Sequence, residues 1–356
     1  MIRIIAEAGV NHNGDESLAL ELIDAAHQAG VDVVKFQTFK AANLVTRQAK
    51  QAAYQTANTG KEESQFAMLS RLELSFDAHL RLIAHCESLG IEFLSTAFDT
   101  ESLDFLVNQL QLQTLKIPSG ELTNAPFVLA HARTGCELIV STGMATLAEV
   151  EAALGVIAFG LAPHDAQPGE AAFMAAYASE AGQAALAKKV TLLHCTTEYP
   201  APMVDINLKA MDTLSHAFRL PVGYSDHSQG ITIPVAAVAR GACLIEKHFT
   251  LDRNMEGPDH KASLEPDELA AMVRGIRDVE LALGDGIKGP RPSEIKNKEI
   301  ARKSLVAACD IEQGTPLSAE NLAIKRPGDG MSPYAYWQLL GQPTRRAYQA
   351  GEPIRE

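Results

Sequence analysis

Eight times between residue 1 and about residue 285, a short β-branched or apolar run gives way to a longer amphipathic stretch. The runs at 3–7, 32–38, 91–96, 114–117, 137–141, 190–194, 221–224 and 243–247 read as strands, because each is short and rich in Ile, Val, Leu and Phe. Between them, helical spacing of apolar residues marks 17–29, 76–89, 146–158, 231–240 and 266–283. Start signals agree with this. Asp15 and Ser17 stand ahead of the first helix, and Ser75 caps the second with Asp77 in its first turn. Strand–helix alternation implies parallel pairing, and eight units in one unbroken series fit a closed (β/α)8 barrel, an α/β TIM barrel, better than an open sheet.

Three stretches break the pattern. Residues 43–71 form a polar connection far longer than a barrel loop needs, and a functional lid is expected there. Residues 160–189, rich in Ala, Gly, Gln and Glu, read as a helical insertion or a mobile excursion, to which no chemistry is assigned. The string GIKGPRPSEIKNK at 286–298 reads as a linker. The expected division is therefore a barrel at 1–285, a linker at 286–298 and a small module of short elements at 299–356.

Composition excludes several classes. Hydrophobic residues are 46% and charged residues 21%, ordinary for a globular enzyme. No apolar run reaches the roughly 20 residues that cross a bilayer, and the first residues lack a signal peptide's long apolar stretch. The five cysteines show no CxxC spacing, which suits a reducing compartment, so a cytoplasmic enzyme without a disulfide framework is expected. A net charge of −13 argues against nucleic-acid or anionic-membrane partners, and any anionic substrate would need a locally basic pocket.

Barrel active sites lie at the C-terminal ends of the strands. Those ends carry Glu7; Lys35 and Gln37; Thr96; Lys116, Ser119 and Glu121; Ser141 and Thr142; His194, Thr197 and Tyr199; Ser225 and His227; and Lys247 and His248. Any one of them has an easy structural reading as a local cap. Together, converging on one mouth, they describe a buried polar pocket. Lys35 and Lys116, with Ser119, Ser141 and Ser225, offer cations and hydroxyls to a phosphate or carboxylate, and Gly120 and Gly143 allow close backbone approach. Neither a Walker A string nor a GxGxxG turn is present. His227 and His248 end neighbouring strands and suit a divalent transition metal; the alternative is a pair of histidines bonded to each other's loops. His12 either positions the first loop or approaches the metal region, and His260 reads as a loop residue. Cys195 directly follows His194, so the two should face opposite sides of the strand, against a Cys–His nucleophile. Lys116 as a Schiff-base lysine, in a class I pyruvate aldolase, is the rival mechanism.

The strings IAEAGVNHNGD (5–15), VKFQTF (34–39), LSTAFD (94–99), LKIPSGE (115–121), STGM (141–144), LHCTTEYPAP (193–202), GYSDHS (223–228), EKHFTLD (246–252) and GPDHKASLEPDEL (257–269) resemble the sialic acid synthase family, in its order and along nearly the whole chain. KSLVA (303–307) and IKRPGDG (324–330) resemble its C-terminal antifreeze-like, or SAF, domain of β-clip fold. The resemblance implies condensation of phosphoenolpyruvate with an N-acylated amino sugar and water. It assigns Lys116, Ser119, Ser141 and Ser225 to phosphate, Lys35 and Thr96 to carboxylate, and His227 and His248 to a metal expected to be Mn²⁺, with Mg²⁺ or Co²⁺ as substitutes. Glu7, Gln37, Asn58, Tyr199 and Asp259 would surround the sugar, and Glu121 or Glu7 would transfer protons. Arg326 would reach the acylamino group from a partner subunit, in a domain-swapped homodimer. Thr197 replaces an Asn of some members beside phosphate and sugar, and cannot donate an amide N–H. Two sugars fit the resemblance. N-acetylmannosamine, giving N-acetylneuraminate, stands first, and 2,4-diacetamido-2,4,6-trideoxymannose, giving a legionaminic acid, is the alternative.

Overall fold

The computed structural model describes residues 1–162 and 166–355, in two units, Met1–Gly284 and Asp285–Glu356. In the first, eight parallel strands run β1 (Arg3–Gly9), β2 (Val33–Thr38), β3 (Glu92–Ala97), β4 (Thr114–Ile117), β5 (Glu137–Ser141), β6 (Val190–Cys195), β7 (Val222–Asp226) and β8 (Leu244–His248). They pair in the order β3-β2-β1-β8-β7-β6-β5-β4, and β3 lies against β4 to bring the series round. The expected barrel is therefore present, with each strand within one or two residues of its sequence reading. The helices follow the capping signals closely. Asp15 accepts from Ser17 N at the start of Glu16–Ala29, and Ser75 accepts from Ala78 N at the start of Phe76–Leu89.

Side chains alternate along each strand, so every second residue enters the barrel. Ile5, Val33, Leu94, Ile139, Leu193 and Leu244 form one closed apolar cluster of their own inside it. This layer plugs the barrel. Two residues further on, the same alternation brings Glu7, Lys35, Thr96, Ser141, Cys195 and Glu246 inward, and the layer changes from apolar to polar. Gly223 belongs to the plug because nothing larger fits. A Cβ there would lie 2.5 Å from Leu244 O and 2.7 Å from a Leu193 methyl.

The 43–71 connection is built from short helices Ala41–Leu44, Ala53–Thr59 and Gln65–Leu72. The insertion contains helices Glu170–Ala178 and Glu180–Lys189, which pack against Leu147–Leu161; its residues 163–165 lie outside the described residues. In the second unit, β9 (Ser304–Ala307) pairs antiparallel with β10 (Leu322–Lys325), over a core of Leu305, Ile311, Leu317, Leu322, Leu339, Tyr348 and Ile354. The stretch read as a linker instead carries the helix Pro292–Ala301, which starts on a proline at its first turn. Ala301 O accepts from Arg326 Nε and Glu299 O from Gly328 N, so this helix is fastened to the second unit. Pro and Gly in that string signalled a breaker, whereas Pro at N1 opens a helix. Among the described residues no helix is long and apolar enough to cross a membrane.

His131, wholly buried on the helix Ala125–Arg133, bonds Phe127 O through Nδ1 at 2.9 Å and leaves Nε2 unpaired. Burial pushes its pKa down to about 4, so the folded chain refuses a proton that the unfolded chain accepts below about 6.5. Stability therefore falls as pH drops between those values, by about 1.4 kcal/mol per pH unit from this residue alone. His131→Leu is expected to make the dependence of the melting temperature on pH visibly shallower between pH 4.5 and 6.5, read by calorimetry. An unchanged slope would show that His131 takes up its proton in the folded state.

Candidate active site

One cavity of about 380 Å³ opens at the C-terminal end of the barrel. Its floor is a chain of four buried charges. Glu246 occupies the centre, with Oε2 2.7 Å from Lys35 Nζ and Oε1 2.8 Å from Lys116 Nζ. Ser225 Oγ also donates to Glu246 Oε1, at 2.8 Å. Lys35 reaches on to Glu7 Oε2 at 3.1 Å, and His248 Nε2 lies 3.4 Å from the same oxygen. Strand register explains these meetings: Glu7 is level with Lys35 on one side and His248 on the other, and Ser225 is level with Glu246.

Burial and charge act against one another here. Burial would push the Lys35 ammonium down, but Glu246 and Glu7 overcome it and raise its pKa to about 12. For Lys116 burial wins, and its pKa is lowered although Glu246 supports the cation. Glu246 is held far below the carboxylate range because the two lysines overcome its desolvation. Glu7 also stays below its ordinary value, with His248 and Lys35 outweighing burial. Asp259, on the loop after β8, goes the other way: burial raises it.

Above the floor lies a ring of hydroxyls and rings. Ser119 Oγ accepts from Gly143 N at 3.0 Å and lies 3.1 Å from Cys195 Sγ. Gly143 is obligatory, since a Cβ would come within 2.3 Å of Thr197 Oγ1 and 2.7 Å of Ser119 Oγ. Tyr199 covers His227 with ring centroids 4.1 Å apart, and His227 and His248 are 5.5 Å apart. Four buried polar atoms in this one cavity, Thr96 Oγ1, Ser141 Oγ, Thr197 Oγ1 and His248 Nδ1, have no hydrogen-bond partner. Buried polar groups are normally satisfied, so such a concentration marks a place built to receive polar ligand atoms.

For a metal, the donors are two imidazoles. His227 Nδ1 bonds Thr196 O at 2.6 Å, which fixes its tautomer and leaves Nε2 as the donor, and burial lowers its pKa to about 4, keeping the ring neutral. His248 contributes the unpaired Nδ1. These fit a divalent cation that takes its remaining ligands from water or substrate, since no group of three His, Cys, Asp or Glu is set for a metal among the described residues.

Most of the expected site residues meet in this cavity: Glu7, Lys35, Gln37, Thr96, Lys116, Ser119, Glu121, Ser141, Thr197, Tyr199, Ser225, His227, His248 and Asp259 all line it. Asn58 does not; its amide donates to Pro258 O at 2.7 Å and fastens the 43–71 segment to the loop after β8. Arg326 lies in the second unit, exposed, with Nε donating to Ala301 O. Three strand-end residues read into the pocket point elsewhere. Lys247 is buried against Asp226 and Ser228 O, His194 Nε2 bonds Ile206 O, and Thr142 Oγ1 donates to Leu193 O. Alternation is the reason: with His248 and Cys195 facing inward, Lys247 and His194 must face out. His260, read as a loop residue, is fully buried and bonds Thr250 Oγ1 at 2.7 Å. His12 holds its own loop, with Nδ1 accepting from Gly14 N. Glu246 was missed, though the same parity pointed to it, two residues before His248.

Residues 22–288 match the NeuB family and residues 302–356 the SAF domain. The chain belongs to the NeuB family. It is 51% identical over 353 residues to an N,N'-diacetyllegionaminic acid synthase of Campylobacter jejuni, covering 99% of this chain and 98% of that one. It is 45% identical to the enzyme of the same name from Legionella pneumophila, covering 99% and 92%, and 32% identical to human N-acetylneuraminate-9-phosphate synthase, covering 99% and 91%. Among solved structures, an N-acetylneuraminic acid synthetase of Leptospira borgpetersenii in complex with citrate aligns with TM-score 0.66 and 33% identity, over 83% of this chain and 90% of that one.

Glu246→Gln keeps the shape and one acceptor but removes the charge that faces two buried cations. Breaking a buried pair in this way costs roughly 3–5 kcal/mol, whereas Ser225→Ala, which removes one hydroxyl donor to the carboxylate, costs roughly 1.5–3 kcal/mol. Urea titration of the two variants is expected to show that gap. Equal losses would place the weight of the floor on the hydrogen bond instead of the charge.

Proposed function

We propose that the protein is a nonulosonic acid synthase that condenses phosphoenolpyruvate with 2,4-diacetamido-2,4,6-trideoxymannose and water, giving a legionaminic acid and phosphate. The observation that carries the reaction class is the single cavity where two buried lysines and unpaired hydroxyls converge on space for a phosphocarboxylate. The sugar rests on relatedness. The two relatives called N,N'-diacetyllegionaminic acid synthase are 51% and 45% identical, against 32% for the human N-acetylneuraminate-9-phosphate synthase. This reverses the order in which the sequence alone ranked N-acetylmannosamine and the diacetamido sugar.

In this reading Lys116, Ser119, Ser141 and Ser225 hold the phosphate, and Lys35 and Thr96 the carboxylate. Glu246 stands between the two lysine head groups and holds each by one oxygen, so the anion meets groups already oriented, without reorganisation at the moment of reaction. Gln37, Tyr199 and Asp259 face the sugar. The Asn58 contact is the weaker assignment, because its amide is already engaged with Pro258 O. Arg326 belongs to the same proposal as a contact supplied by a second copy of the chain. His227 and His248 would hold a divalent ion, with Mn²⁺ first; such an ion supplies Lewis acidity to the open-chain aldehyde. The C2=C3 π pair of phosphoenolpyruvate forms the bond from its C3 to C1 of the sugar, whose aldehyde oxygen takes up a proton. Water adds at the electron-poor C2, its proton passing to Glu7 or Glu121, and phosphate leaves by C–O cleavage as the C2 hydroxyl becomes the ketone. The 43–71 segment shields these steps from bulk water. The reaction would run in the cytoplasm, where phosphoenolpyruvate is made.

Phosphate release measured with the two sugars side by side is expected to give kcat/KM at least tenfold higher for the diacetamido-trideoxy sugar than for N-acetylmannosamine. The reverse order would return the protein to N-acetylneuraminate synthesis, and phosphate-free turnover of pyruvate would favour the Schiff-base mechanism at Lys116. Chelation is expected to abolish turnover reversibly, with Mn²⁺ restoring it in the native chain and failing to bind to His248→Ala by calorimetry. Undiminished activity after chelation would remove the metal from the proposal.

A further inference from the structure

The cavity has two unlike surfaces. Besides its charged floor it has an apolar wall, and Val10, Phe39, Met68 and Leu72 form the buried core of that wall. Leu44, Leu69 and Phe98 pack on that core, and all seven residues line the cavity. This cluster is separate from the barrel plug and from the shell between strands and helices. Leu44 and the helix Gln65–Leu72, with Met68, Leu69 and Leu72 at helical spacing, supply four of its seven residues, and Val10, Phe39 and Phe98 follow the ends of β1, β2 and β3. Within it, Phe39 and Phe98 meet edge to face with centroids 6.3 Å apart.

Phosphoenolpyruvate has no use for such a wall, and a fully hydroxylated hexose would leave hydroxyls unpaired against it. A sugar that carries methyl groups at its non-reacting end suits it. We propose that this wall is the element that selects the substrate, by receiving the methyl-bearing end of the sugar, at C6 or on the C4 acyl group. Orientation supports this. The aldehyde carbon must face the floor where the phosphocarboxylate sits, so the opposite end of the sugar is left for the upper walls. Gln55 and Gln65 also line the cavity from the same segment and offer amides to an acyl carbonyl. The inference rests on the synthase reading above and goes further by naming the residues that choose the sugar.

A hydrophobic pocket discriminates a missing or added group by roughly 10- to 200-fold. The test uses two matched pairs of substrates in phosphate release: 6-deoxy against 6-hydroxy at constant C4 acetamido, and 4-acetamido against 4-hydroxy at constant C6. The native chain is expected to favour the methyl-bearing member of at least one pair by tenfold or more in kcat/KM. Leu69→Asn, at a partly exposed position of the wall, is expected to cut that ratio to about threefold or less. The pair whose ratio collapses identifies the methyl that the wall holds. Ratios near one in the native chain, or ratios unchanged in Leu69→Asn, would overturn the inference. If Leu69→Asn does not fold, Leu44→Asn at the rim serves with the same criterion. A chain that releases phosphate with no acylamino sugar at all would refute the synthase reading, which is a different result from a flat ratio.

Discussion

Glu246 holds the centre of the barrel together. Two ammonium groups cannot share a dry barrel interior unless an anion stands between them, since each would be desolvated and would repel the other. One carboxylate answers both, with an oxygen for Lys35 and the other for Lys116, and Glu7 closes the far side. Two cations and two anions leave the floor neutral before any ligand arrives. That resolves the conflict between a net charge of −13 and an anionic substrate. The attraction is local, supplied by buried dipoles and oriented ammonium groups, and does not need a positively charged protein.

The arrangement is available only because strand alternation changes layer at one height. Below that height the inward side chains are Ile5, Val33, Leu94, Ile139, Leu193 and Leu244, which exclude water from beneath the charges. Two residues along each strand, the inward positions are charged or polar, Glu7, Lys35, Thr96, Ser141, Cys195 and Glu246. The plug therefore sets the dielectric of the floor, and the low dielectric makes the carboxylate–ammonium contacts strong and their loss costly. Stability and site are not separate inventories here. The same buried contacts that would cost several kcal/mol to disrupt hold the lysines in place.

Much of this was legible in the sequence because it obeys period rules. Strand positions, helix caps and the barrel followed from alternation and from Asp15 and Ser75, and the family strings placed most of the cavity residues. What failed was parity. Reading strand ends as pairs put Lys247 beside His248 and His194 beside Thr197, although adjacent residues on a strand face opposite sides. Applying the period strictly would have exchanged Lys247 for Glu246. Other misses had a different cause. Pro and Gly in 286–298 signalled a break, but Pro292 occupies the first turn of a helix, where its missing N–H costs nothing. Asn58 had the right chemistry for a sugar, and only the fold shows its amide already committed to Pro258 O.

The 43–71 segment shows why long loops resist sequence reading. Its polar residues made it look like a solvated excursion, yet Met68 is buried, Leu44 and Leu69 are half-buried, and Leu72, just past its end, is buried as well. Those apolar positions are too sparse to announce a core helix, and they find partners in Val10, Phe39 and Phe98, which come from the ends of β1, β2 and β3. The contacts join residues far apart in sequence, so no local window contains them. The segment is fastened at its far side by Asn58 to Pro258 O and by Lys61 to Glu256, on the loop after β8. It thus spans the mouth from β1–β3 to β8, with an apolar inner face above a charged floor. In the proposed reading, a substrate held between two such surfaces is amphipathic in the matching sense, polar at the reacting end and methylated at the other.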